Sequence, residues 1–202
     1  MARSITIFLA VIIITAVPAT VAPAPVAAAD SCTSASRKHP PKTIRVFRIH
    51  RKGSRVPARV ERWDFKRYVG MVMRSGAWPN RVWASAKVGA VAIKQWAWWM
   101  ILNHQPGYSW RGRCYDVRDS DQYLRPEVRP WTYLSPRTAR AVRETWGISL
   151  RKQGRFFRTG WTGGECRDGW RLCEDTTRRL ALRGWGMRHI IRHLLEPVRI
   201  VG

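Results

Sequence analysis

Carboxylates are scarce in this chain. Asp and Glu number 13 against 37 Lys and Arg in 202 residues, a formal net charge of +24 with a pI near 11.5. Residues 65 to 100 contain no Asp or Glu at all, so acid–base chemistry centred there would need a proton carrier from elsewhere. There is no Cys-x-x-Cys pair. His189 and His193 lie four apart but lack the acidic neighbour of an HExxH site, so they read as surface-facing helix residues and no metal is expected. No run of five like charges and no RNA- or DNA-binding motif occurs, and nucleic acid is not an expected partner. No internal repeat is visible. The N-terminal apolar run, Ile5 to Val17, is interrupted by Pro18 and falls short of the roughly 20 residues a membrane span needs.

What is present points outward from the cell. Arg3, the apolar run and the small-residue stretch APAPVAAAD have the layout of a secretory signal, with cleavage expected near Ala29. Residues 1–29 are therefore taken as signal, 30–42 as a polar tether and 43–202 as one domain. A membrane would be met only through an uncleaved signal. Cys32, Cys114, Cys166 and Cys173 form an even set, which in an exported chain predicts two disulfides with three possible pairings. Apolar content of 45% with 12 Trp argues for a packed core. The positive field would attract anionic wall polymer, lipid surfaces or other polyanions.

The periodicities predict an α+β fold, one mixed domain built on a central small-residue helix, with short strands towards both ends and a long central loop. Thr43 to Ile49 alternates as a strand, and Val56 to Trp63 would return as a second. Asp64 sits as an N-cap before an amphipathic helix that Gly76 ends. Pro79 and Asn80 would open a helix to about His104, rich in Ala and Gly and ending in Trp96, Trp98 and Trp99. Residues 105–134 read as irregular. Ser135-Pro136 caps a helix to about Trp146. A hairpin is expected around Gln153-Gly154, a Gly-rich loop at 160–169, a helix from about Trp170 to Leu182, another from Gly186 to Leu195, and a terminal strand.

Three separated segments resemble the SpoIID/LytB family, named for stage II sporulation protein D and the amidase enhancer LytB. They are WDFKRYVGMVMRSGAWPNRVWASAKVGAVAIKQWAWW, CYDVRDSDQYLRPE, and the section from FFRTGWTGG to the end. Together they span about residues 43–202. The resemblance implies action on bacterial peptidoglycan: the sporulation enzymes are lytic transglycosylases on peptide-stripped glycan strands, and the LytB side enhances a wall amidase. It also implies a catalytic Glu just before the small-residue helix, which would protonate the glycosidic oxygen and then take a proton as the anhydro ring closes. Here Ala77 stands at that position, and a methyl group can do neither. Zinc-bearing members use Cys and His around the middle segment, where this chain offers Cys114 and, distant in sequence, His104.

Several residues are candidates for binding or chemistry. Asp116 and Asp119 are the weak candidates for a displaced acid, with ion pairing as the competing role. Trp78, in the turn beside the expected site, is the best candidate to stack on a sugar ring. Lys87 and Lys94, seven apart on one helix face, would meet carboxylates or phosphates; Gln95 and, in the middle segment, Gln122 would add polar contacts. Thr159, Gly160, Gly163 and Gly164 would form a tight loop offering N–H groups to a glycan. Three readings follow: an exported wall-glycan binding or remodelling protein lacking its acid, an active lytic transglycosylase using another carboxylate, or a cationic protein acting on polyanions or membranes. No cofactor is expected.

Overall fold

A computed structural model of the chain describes residue 32 and residues 38–49, 57–78, 82–104, 107–119 and 134–202. The expected signal and most of the tether lie outside them. The fold is a single mixed α+β domain.

Strand β1 (Thr43–Arg48) turns Ile44 and Val46 into the core, while Arg45 and Phe47 lie on its other face. It pairs antiparallel with β2 (Arg59–Asp64), from Thr43 opposite Asp64 to Arg48 opposite Arg59. Asp64 ends β2 and starts α1 (Phe65–Val72): its Oδ1 accepts the Arg67 N–H at 2.8 Å. Phe65, Tyr68, Val69 and Val72 form the buried stripe of α1. The helix does not stop cleanly at Gly76. It widens into a π-helical turn, Met73–Ala77, closed by the Trp78 N–H on the Met73 carbonyl at 3.1 Å.

Helix α2 (Trp83–Leu102) is the centre of the domain. Fourteen of its 20 residues are buried, so it is apolar all round rather than striped. Small residues let neighbours approach closely: a Cβ on Gly89 would lie 2.4 Å from Cγ of Trp78, and only glycine fits beneath that ring. Residues 79 and 80, expected to open this helix, lie outside the described residues.

Residues 107–119, the described run within the stretch expected to be irregular, hold short strands instead. β3 (Ser109–Trp110) and β4 (Arg113–Cys114) form a hairpin across Arg111 and Gly112, both at positive φ. β5 (Val117–Arg118) runs parallel to β1 and completes a sheet of order β2-β1-β5. Two-residue strands leave no alternation to read, which is why the sequence pattern missed them.

Helix α3 (Pro136–Glu144) starts on Ser135, whose Oγ accepts the Thr138 N–H at 3.1 Å. β6 (Ser149–Lys152) and β7 (Arg155–Phe156) form the expected hairpin, with Gln153 and Gly154 at φ 49° and 74°. β8 (Gly160–Thr162) pairs parallel with β9 (Arg171–Cys173). The helix expected from Trp170 therefore begins later, as α4 (Glu174–Leu182). Asp168 holds the preceding turn open, accepting the N–H groups of Trp170 and Arg171, each at 2.9 Å. Helix α5 (Met187–Leu195) and β10 (Arg199–Val201) finish the chain, β10 pairing with β6.

Cys32 bonds Cys114 and Cys166 bonds Cys173, which selects one of the three pairings. Among the described residues no helix is long and apolar enough to cross a membrane.

Candidate binding site

The turn where the SpoIID/LytB resemblance places an acid is held by Trp78. Trp78 is 2% exposed and lies on Gly89. Its Nε1–H donates to Ser85 Oγ at 3.2 Å, and Ser85 and Thr177 hydroxyls meet at 2.9 Å. Thr177 spends its one hydrogen on the Glu174 carbonyl at 2.8 Å, so Ser85 must be the donor to Thr177. The buried indole thus heads a one-way chain of donors. Trp78 is a structural peg, and the expectation that it stacks on a sugar is corrected: its ring faces are covered. Trp98 is buried too, while Trp96 and Trp99 are partly exposed.

Lys87 and Lys94 do share a face of α2, but that face meets α3 rather than solvent. Lys87 pairs with Glu144 at 2.8 Å. Lys94, 1% exposed, donates to the carbonyls of Thr145, Trp146 and Ile148 at 2.6, 2.8 and 2.5 Å. Its three N–H donors meet three acceptors at the negative end of α3. Burial without a carboxylate pushes its ammonium down to about 7. Gln95 is buried as well: its Nε2 donates to the Leu150 and Phe157 carbonyls, both at 3.0 Å, and its Oε1 accepts the Leu150 N–H at 3.1 Å. Both side chains fasten the segment after α3 to the central helix and are not available to a ligand.

The displaced acids are spent in the same way. Asp116 is 3% exposed and accepts Arg45 through its backbone N–H at 2.7 Å, Nε at 3.2 Å and Nη2 at 2.6 Å. Asp119, 1% exposed, accepts the Ile49 N–H at 3.2 Å and faces Arg48 Nε at 3.5 Å. Both clamp β1 beside β5. Thr159 is fully buried, and the Gly160 N–H is taken by the Trp170 carbonyl at 3.0 Å, so neither offers a donor to a glycan. Gly163 and Gly164 are exposed with open space around them. Gln122 lies outside the described residues.

His104, distant in sequence, is close in space. One of its ring nitrogens and the sulfurs of Cys32 and Cys114 lie within 4.8 Å of one another, and its Nδ1 is buried with no partner among the described residues. The two sulfurs are joined to each other, so the set offers no thiolate and does not fit zinc in this oxidised form.

The feature that sequence reasoning missed lies at the start of α2. Half-buried Trp83 has Lys87 Nζ 5.0 Å from its ring centroid, Arg140 Cζ at 5.1 Å and Arg137 Cζ at 5.5 Å. Glu144 takes Lys87 and, at 2.7 Å, Arg140; hydrogen bonds from Lys87 and then Arg140 hold its carboxyl below the usual range. A cleft of about 600 Å³ is lined by Trp83, Pro136, Arg137, Arg140 and Arg143. A second, of about 500 Å³, shares Arg143 and is lined by Lys66, Arg67 and Asp64 as well. The signal was the Arg-x-x-Arg-x-x-Arg spacing of α3, which sets three guanidinium groups on one side of a helix.

Comparison with family models, with curated proteins and with solved structures returned no match. The likeness to SpoIID/LytB proteins rests on the three sequence segments.

Proposed function

We propose that the chain is an exported protein that binds bacterial wall glycan, built on a SpoIID/LytB-type scaffold without the scaffold's proton donor. The observation that carries this reading is the fate of the carboxylates. Ala77 occupies the position of the expected acid, and residues 65–100 supply no substitute. Asp116 and Asp119, the nearest replacements in the family-like middle segment, are buried and engaged by the arginines of β1. A general acid must reach the bond it protonates and exchange its proton there. Neither aspartate meets that requirement, which disfavours the active-transglycosylase reading. Two disulfides and the N-terminal apolar segment favour export. A wall amidase is the partner that the resemblance adds.

The test is digestion of peptide-stripped peptidoglycan by the purified protein beside an Ala77→Glu variant, with anhydro-muramic ends read by mass spectrometry. The reading expects wild type to bind the strands without cutting, and Ala77→Glu to gain cleavage. Cleavage by wild type, or the absence of any strand binding, would overturn it.

A further inference from the structure

We infer that the cleft between Trp83 and α3 is a phosphate-binding site that holds a phosphodiester-bearing wall polymer; this rests on, and sharpens, the wall-binding reading. The argument begins with charge that the fold has gathered and left uncompensated. Lys87, Arg137 and Arg140 surround one indole, and Arg143 lines the same cleft. Like charges so close repel unless something draws them together. The π face of Trp83 does that without neutralising them. The one carboxylate in the cluster, Glu144, is shared by Lys87 and Arg140. Arg137 and Arg143 have no carboxylate partner among the described residues, and both are exposed. The cluster therefore carries a net charge of about +3 around a cleft of about 600 Å³.

The donor geometry selects the ligand. A guanidinium has five N–H donors in a flat fork, and a carboxylate offers both of its oxygens in one plane. Arginines that reach one cleft from different positions along a helix suit a tetrahedral phosphate, which presents its oxygens in several directions at once, better than a planar carboxylate. Arg143 also lines the second cleft, where Lys66 and Arg67 stand with a single carboxylate, the helix-capping Asp64, and two cationic clefts that share a residue suit a polymer with repeated phosphates rather than one small anion. For a chain read as exported, the phosphodiester polymer it would meet belongs to the wall.

The experiment measures binding of the purified, disulfide-bonded protein to polyglycerol phosphate, to peptide-stripped glycan strands and to a single-stranded oligonucleotide of equal charge, each across a salt series. Arg137→Gln with Arg143→Gln should weaken polyglycerol phosphate binding by roughly tenfold or more and flatten its log–log salt slope by about 1.5. Glu144→Gln should strengthen it. The pair Arg183→Gln with Arg199→Gln, which lines neither cleft, removes the same charge from exposed positions and should change binding by less than about twofold. Thermal melts check that the exposed substitutions leave the fold intact. Equal losses from both pairs would mean diffuse attraction and overturn the proposal, as would tighter binding of the oligonucleotide with the same dependence on Arg137 and Arg143. Strand binding without polymer binding would sink the phosphate site and leave the wall-glycan reading standing. Polymer binding that maps to Arg137 and Arg143, without strand binding, would do the reverse.

Discussion

Replacing Lys94 with methionine should have an effect whose size depends on pH. In the folded chain the ammonium is buried against three carbonyls and titrates near 7; in the unfolded chain it titrates at about 10.4. Between these values the unfolded chain binds more protons, so the wild type gains stability as pH rises through that window. Below pH 7 the group is charged in both states, and its burial carries the full desolvation cost. Methionine removes that cost but leaves the carbonyls of Thr145, Trp146 and Ile148 without their donor, at about 1–3 kcal/mol for each one that stays dry. The two effects oppose each other at pH 6, and the variant should lie close to wild type there. At pH 9.5 the desolvation cost is gone, the neutral amine still offers two N–H donors to these carbonyls, and only the loss of those donors remains. The destabilisation should therefore grow by about 3 kcal/mol from pH 6 to pH 9.5, two and a half pH units above the folded titration at about 1.4 kcal/mol each. Urea unfolding followed by circular dichroism at the two pH values measures it. A difference that stays constant within about 1 kcal/mol would refute the reasoning, because Lys94 would then keep its proton throughout.

Two further changes probe the frame around the site. Gly89→Ala puts a methyl group into the Trp78 ring, 2.4 Å from its nearest atom; overpacking at a rigid contact should cost about 1–3 kcal/mol and alter the near-ultraviolet signal of the indole, while an unchanged melting temperature would show that the ring moves freely. Removing the Cys32–Cys114 bond, which spans 82 residues, should lower stability by about 4–5 kcal/mol on loop-closure grounds, against about 2 kcal/mol for Cys166–Cys173, which spans seven. Chemical denaturation of the Cys114→Ser and Cys173→Ser variants compares them, and the reverse order of losses would count against the long bond constraining the unfolded chain.

Local signals in the sequence carried well. Asp64 and Ser135 cap the helices they were expected to cap, because capping needs only a side-chain oxygen and an N–H three residues on. Gln153-Gly154 makes the hairpin its two left-handed residues require. The small-residue helix is central because Gly89 and its alanines let neighbours come close. What sequence periodicity could not convey is which partner covers a face. Lys87 and Lys94 were correctly set on one side of α2, yet nothing in their spacing says that α3 lies against it. Gln95 looks like a surface amide until β6 is found pairing with it. Trp78 has the composition of a turn and the environment of a core. The Trp83 cluster was hidden for the same reason, since its parts come from two helices some 55 residues apart. Pairing of the four cysteines is likewise a matter of tertiary contact.

The cysteines join in the order in which they occur, first to second and third to fourth. A chain delivered across a membrane from its N terminus presents them one at a time. If this chain is exported in that direction, Cys32 and Cys114 emerge before Cys166 and Cys173. Oxidation in order of arrival therefore yields the native bonds directly. Exported in that way, the chain would need an oxidant where it emerges, and pairing in order of arrival would leave no wrong disulfide to reshuffle.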